Sequence, residues 1–224
     1  MSKTKSKPNA EVKRPLRRKI FYFGIHLMCR MVTIMFFNFK AENRHLIPAA
    51  NGGLVLSTHQ SNFDPVLVGI TFNRHMNFLA RKTLFNNWIF AALIRNLDAI
   101  EIDRDGSGLS GLKETMLRLK RKQLVLIFPE GTRTTTGKIG KLKPGFISVA
   151  RRTNVPLIPV AVVGAYEVMS KGTNWPKPRP IVVVIGPHIE PDIVSQLTDD
   201  ELLVEIGKRL SACDQRGREL VGLA

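Results

Sequence analysis

From residue 53 onward, short apolar runs alternate with stretches of helical period. GLVLS (53–57) is an apolar run that ends at a polar loop, and DPVLVGITF (64–72) reads as a helix start, with Asp64 as N-cap and Pro65 at the first helical position. LDAIEIDR (97–104) alternates like a half-buried strand. Residues 107–122 place Leu109, Leu112, Met116 and Leu119 on one helical face, with Lys and Arg opposite. LVLIF (124–128) reads as a buried strand bounded by charge and by Pro129, and residues 146–153 as a short helix. VPLIPVAVVG (155–164) and PIVVVIG (180–186) predict two more strands. Thr198 and Glu201 form a capping-box pattern ahead of a C-terminal helix. Strands alternating with helices predict an α/β fold, a mainly parallel central sheet covered by helices, in one catalytic-sized domain over 46–224.

The chain before this region has a different pattern. Residues 20–39, IFYFGIHLMCRMVTIMFFNF, contain 15 apolar residues out of 20. On a helix, Lys19, His26, Arg30 and Thr33 fall within about 40° of one line, leaving a broad apolar face with one narrow polar stripe. An N-terminal amphipathic membrane-associating segment is expected over 20–45. Three placements remain open: lying in the headgroup region, spanning at a tilt with Arg30 snorkelling, or buried as a core helix. No small-residue cleavage site follows, so a signal peptide is not expected.

Composition narrows the partners. The 224 residues carry 34 Lys and Arg against 18 Asp and Glu, a net charge of +16. Residues 1–19 concentrate eight of those cations against Glu11 alone, and read as a basic, disordered tail. Such a surplus attracts anionic lipid, phosphorylated metabolites or nucleic acid, or serves only to solubilise. No basic–aromatic stacking surface appears in the body of the chain, so nucleic acid is not expected as a partner. Cys29 and Cys213 cannot make a disulfide framework, and the five histidines form no H-E-x-x-H pair, so no metal site is expected. G-x-S-x-G, Walker and G-x-G-x-x-G patterns are absent, which leaves hydrolase-elbow, P-loop and dinucleotide readings without support.

Two loops that follow predicted strands carry candidate chemistry. HQSNFD (59–64) sits after GLVLS, and a strand-to-helix turn can bring His59 to Asp64, where a continuous helix would hold them apart. An imidazole paired with a carboxylate serves as a general base near neutral pH. The bland alternative is a helix cap beside an ordinary loop histidine. FPEGTR (128–133) follows LVLIF; in a parallel sheet both loops lie on the rim where ligands gather. There Gly131 admits close backbone approach and Arg133 offers a planar fork to phosphate. Arg104 stands at the end of IEIDRD, and Lys141 and Lys143 lie in GKLKPG; each alone is ordinary surface charge. VPLIPV (155–160) carries no reactive group and reads as wall.

In this order, HQSNFD, FPEGTR and VPLIPV resemble the H-x-x-x-x-D, F-P-E-G-T-R and V-P-I-x-P blocks of the glycerolipid acyltransferase family, of the 1-acyl-glycerol-3-phosphate type, over residues 40–190. A further family block, G-x-x-F-I-x-R, is matched by Ile102 and Arg104 but departs at Asp98, where Gly is usual, and at Glu101, where an aromatic is usual. The resemblance implies direct acyl transfer from acyl-CoA or acyl carrier protein to the hydroxyl of lysophosphatidate, giving phosphatidate for phospholipid biosynthesis, at the cytoplasmic face of the plasma membrane. By that analogy His59 is the base and Asp64 orients it. Arg104 meets the acceptor phosphate, and Glu130, Gly131, Thr132 and Arg133 shape the acceptor site. Pro159 belongs to the hydrophobic wall. Lys143 is added here as a further phosphate contact. Neither metal nor cofactor is implied. The alternatives are the same chemistry on glycerol 3-phosphate or an amino-acid lipid, and a non-catalytic binder of anionic lipid or nucleic acid.

Overall fold

The computed structural model describes residues 15–102, 109–173 and 175–223. The N-terminal helix α1 (Leu16–Phe37) begins earlier than the hydrophobic pattern alone indicates. It stops where Asn38 turns left-handed, at φ 42°, and returns its N–H to the Thr33 carbonyl. The chain then enters a short strand, β1 (Lys40–Glu42), so residues 40–42 belong to the sheet and not to the helical segment expected over 20–45.

Six more strands follow: β2 (Gly53–Ser57), β3 (Met76–Arg81), β4 (Ala99–Ile102), β5 (Leu124–Ile127), β6 (Leu157–Val163) and β7 (Val182–Ile185). They form one sheet in the order β1-β7-β6-β2-β5-β3-β4. Every neighbouring pair is parallel except β6 with β7. The mainly parallel α/β architecture expected from the alternating pattern is therefore present. Between β6 and β7 the described residues form only the short helix α6 (Ala165–Val168) and a loop, with no longer helix to carry the chain back along the sheet, and this pair is antiparallel.

Helices cover both faces, which is why the central strands are continuously apolar instead of alternating. On one face α2 (Asp64–Thr71) packs Leu67, Val68 and Ile70 with Phe72 over Val55, Leu126 and Val160. The other face carries α4 (Leu109–Lys120), α5 (Gly145–Thr153), α7 (Pro191–Gln196) and α8 (Asp199–Val221). There Phe146, Ile147, Leu202, Ile206 and Leu210 close over Leu54, Leu56 and Leu157. The capping box predicted at Thr198 and Glu201 forms, and starts α8. Helix α3 (Trp88–Asn96) lies within residues 73–96, where the sequence pattern reveals no element. It buries Ala91 and Ile94 and packs beside α1 and β4.

Helix α1 is oriented opposite to the usual amphipathic arrangement. Its polar stripe faces the protein: His26 Nε2 donates to the Phe72 carbonyl at 3.1 Å, and the Tyr22 hydroxyl accepts from the Met76 N–H at 3.3 Å. Thr33 is its one buried residue, while Ile20, Phe23, Leu27, Met31, Ile34 and Met35 point away from the sheet. The buried-core placement is thereby excluded. The helix is long and apolar enough to cross a membrane.

The turn from β6 into α6 depends on Gly164, at φ 91°, where an added Cβ would come within 2.1 Å of the Pro180 carbonyl oxygen. Gly164→Ala is expected to lower the unfolding free energy by about 3 kcal/mol or more, combining left-handed strain with a backbone clash. Urea titration of wild type and variant measures the loss.

Candidate active site

Because β2 and β5 are adjacent and parallel, the segments after them leave the sheet on the same rim. His59 follows β2 by two residues and Phe128 follows β5 directly. The two rings stack, with centroids 3.9 Å apart and planes 16° from parallel. Phe128 thus fixes one face of the imidazole, a role that its position after an apolar strand does not disclose.

On the ring's edge, His59 Nδ1 lies 2.7 Å from Asp64 Oδ2. Asp64 is completely buried, and the His59 side chain is 16% exposed. The same carboxylate oxygen accepts from the backbone N–H groups of Gln60 and Ser61 at 2.6 and 2.8 Å. Asp64 is not the helix N-cap expected from sequence. Phe63 holds that position, and the Asp64 side chain makes no capping bond because it reaches back to the loop before the helix. The Asp64–Pro65 helix start and the loop 58–63 together aim the carboxylate at His59. With Nδ1 committed to Asp64, Nε2 is the ring nitrogen left to meet a substrate.

Glu130 anchors the second loop to the first. Its Oε1 accepts from the His59 backbone N–H at 2.8 Å, and its Oε2 from the Gly140 N–H at 2.7 Å. The Thr134 N–H donates to the His59 carbonyl at 2.8 Å, so both backbone groups of His59 are tied to the 128–143 segment. Farther along, the buried Gln60 side chain accepts from the Tyr166 N–H at 3.1 Å, and Arg218 of α8 donates to the Gly137 carbonyl at 2.7 Å. Glu130, expected to shape the acceptor site, has a buried carboxylate that holds the two loops together and does not face an open surface.

Gly131 takes φ 71°, and the Lys143 side chain lies directly over it, its Nζ 3.1 Å from where a Cβ would stand. Lys143, Arg133 and Thr132 are therefore carried on the same rim as His59, with Lys143 and Thr132 exposed and Arg133 half-buried. Pro159 is not brought to this cluster. It lies inside β6 level with Leu56, and faces Gly186 on the α8 side of the sheet. Arg104 lies outside the described residues. Asp98, however, adopts φ 61°, the left-handed conformation that glycine favours, so the departure from Gly preserves the backbone turn before β4. Glu101 is exposed on β4, beside a cleft of about 410 Å³ lined by Lys82, Ile100, Ser110, Glu114 and Arg118.

Comparison with known proteins decides the family. The Acyltransferase family model matches residues 38–163, more than half of the chain. The chain belongs to the acyltransferase family. It is 29% identical over 182 residues to the 1-acyl-sn-glycerol-3-phosphate acyltransferase of Bacillus subtilis, covering 81% of this chain and 87% of that one. It is 27% identical over 163 residues to the chloroplastic 1-acyl-sn-glycerol-3-phosphate acyltransferase LPAT1 of Arabidopsis thaliana, covering 71% of this chain and 46% of the plant protein. Among solved structures it resembles the 1-acyl-sn-glycerophosphate (LPA) acyltransferase PlsC of Thermotoga maritima, with a TM-score of 0.78 at 25% identity, over 93% of this chain and 84% of that one. The family match spans His59, Asp64, Glu130 and the loop between β5 and α5, so the hydrogen-bonded cluster lies wholly within it.

Burial pushes the Asp64 carboxyl up from its ordinary range, against the opposing pull of His59 and the two backbone N–H groups. Burial likewise raises Glu130, opposed by the Gly140 and His59 N–H groups. The folded protein therefore holds more protons on these carboxyls than the unfolded chain does, between the ordinary carboxylate range and the raised folded values. Their contribution to stability is greatest at the acid end of that interval and falls as pH rises through it. In Glu130→Gln the fall of unfolding free energy between about pH 4 and pH 7 is expected to be shallower than in wild type. Urea midpoints across that range measure the slope.

Proposed function

We propose that the protein transfers a fatty acyl group from acyl-CoA or acyl carrier protein to the free hydroxyl of 1-acyl-glycerol-3-phosphate, giving phosphatidate for phospholipid biosynthesis. The observation that carries this reading is the 2.7 Å contact of His59 Nδ1 with a buried carboxylate, which leaves Nε2 facing the rim of an acyltransferase fold. The named relatives, acyltransferases for 1-acyl-sn-glycerol-3-phosphate, supply the acceptor.

The proposed step is direct. The acceptor hydroxyl binds at His59 Nε2 and its oxygen attacks the thioester carbonyl. Its proton passes to Nε2 as the new C–O bond forms, and the Asp64 carboxylate stabilises the resulting imidazolium. The tetrahedral intermediate then expels the thiolate, which takes the proton back from Nε2, so ester and thiol leave and His59 is restored. Phe128 and the Asp64 bond hold the ring in place, so little reorientation accompanies the transfer. Arg104, with Arg133 and Lys143, supplies positive charge for the acceptor phosphate, and Thr132 and Gly131 complete that side of the site. Pro159 stiffens the wall strand behind it. No metal or cofactor takes part in the proposed step.

Helix α1 lies in the headgroup region at the cytoplasmic face of the plasma membrane. Arg18, Tyr22 and His26 bond it to the rest of the protein, and its large apolar side chains face outward. That placement delivers a site for lipids that stay in the bilayer.

Incubation of the purified protein with lysophosphatidate and mixed acyl donors, followed by mass spectrometry, is expected to yield phosphatidate. His59→Ala is expected to lose turnover by about 10³-fold while vesicle binding is retained. Wild-type turnover in that variant would defeat the assignment. Arg104→Ala is expected to raise the KM for the acceptor and leave that for the donor unchanged, read from initial rates with each substrate varied in turn.

A further inference from the structure

Helix α3 presents an apolar face that none of the described residues covers. Among its described side chains Ala91 and Ile94 are buried, three residues apart, as an inward stripe requires. The outward stripe is Trp88, Ile89, Ala92 and Arg95. Trp88 is 79% exposed, Ile89 62%, and Leu84 just before the helix 44%. A surface helix ordinarily puts polar side chains there, and a bare tryptophan beside a bare isoleucine and leucine marks a contact site.

The surroundings identify the partner. Helix α3 packs beside α1, and the Arg18 guanidinium of α1 donates to the Arg95 carbonyl at the end of α3 at 3.0 Å. The C-terminal end of α3 therefore adjoins the N-terminal end of α1. Charge is segregated in the same way. Residues 65–97 contain Arg74, Arg81, Lys82 and Arg95 and no Asp or Glu, and residues 12–41 contain seven Lys and Arg and again no Asp or Glu. Arg17, Arg18 and Lys19 on α1 and Arg81, Lys82 and Arg95 around α3 are all exposed. Apolar side chains rimmed by these cations complement an anionic lipid surface, with Glu101 and Glu114 set in the cleft that Lys82 also lines, and tryptophan is the side chain best suited to headgroup depth. Trp88 also follows the carboxyl end of β3, on the rim that carries His59.

We infer that Leu84, Trp88 and Ile89 form a second membrane anchor beside α1, inserted into an anionic leaflet, and that the pair fixes the tilt of the active-site rim toward the bilayer. One helix in the interface leaves the protein free to roll about that helix; a second contact beside it removes that freedom. The inference rests on the placement of α1 in the headgroup region, and it adds a separate anchor with its own residues.

The chain has two tryptophans, so Trp175→Phe leaves Trp88 as the sole indole reporter. That variant is mixed with vesicles of phosphatidylcholine containing about a third phosphatidylglycerol, with bromines placed either high or low on the acyl chains. The expected result is a blue shift of Trp88 emission and stronger quenching by the shallow bromines. In the wild-type background, Trp88→Ala is expected to weaken vesicle partitioning by about tenfold, with an unchanged thermal melt. Sedimentation with vesicles while Trp88 stays unshifted and unquenched would overturn the inference and leave the α1 placement standing. Unchanged partitioning of Trp88→Ala would overturn it equally. Failure of the parent protein to sediment with vesicles would remove the α1 placement and this inference together. A blue shift without lipid that grows with protein concentration, alongside a doubled mass, would assign the face to a second copy of the chain instead.

Discussion

A carboxylate with no solvent exposure stands at the centre of this site, and the local fold exists in large part to keep it satisfied. Asp64 Oδ2 collects the imidazole Nδ1 and two backbone N–H groups, a set of donors that exists only if the 59–64 segment turns tightly into α2. The same turn determines which edge of the imidazole faces outward. Burial raises the Asp64 carboxyl, so loss of any of these donors would favour its neutral form and weaken its hold on His59. Stability of the turn and the orientation of the imidazole are consequently one property.

Glu130 extends that logic to the second loop. It bridges the His59 N–H and the Gly140 N–H, so the segment bearing Thr132, Arg133 and Lys143 is registered to the imidazole through one buried side chain. Gln60 and Arg218 add remote ties from α6 and α8. The cations proposed to meet a phosphate are thus carried on a braced loop, which lowers the ordering cost of binding. Asp98 shows the same economy of backbone: a non-glycine residue occupies a left-handed turn, so the departure from the family pattern leaves the path of the chain intact.

The face formed by α1 and α3 reverses the usual rule that surface helices turn their polar side outward. His26 and Tyr22 use their polar atoms on the backbone of residues 72 and 76, which satisfies those groups inside the protein and turns the apolar side chains out. Together with the exclusion of carboxylates from residues 12–41 and 65–97, this orders the chain's large positive charge into a directed surface.

Much of this was legible from residue pattern alone. Continuous apolar runs marked β2, β5, β6 and β7, because strands covered on both faces need no polar positions, and the capping box at Thr198 marked α8. Ordered blocks marked His59 and Asp64, because an imidazole and a carboxylate that meet across one turn must be close in the chain. The region 73–96 was silent, and in α3 the reason is that its buried and exposed sides are both apolar, so no periodic contrast survives. The stacking of Phe128 on His59, the clamp of Glu130 across two loops and the inward turn of the α1 polar stripe join residues up to 71 positions apart. Sequence supplied the chemical groups and the local turn that pairs two of them. Only tertiary structure decided which faces meet and which remain bare, because those choices depend on contacts between segments that no local pattern encodes.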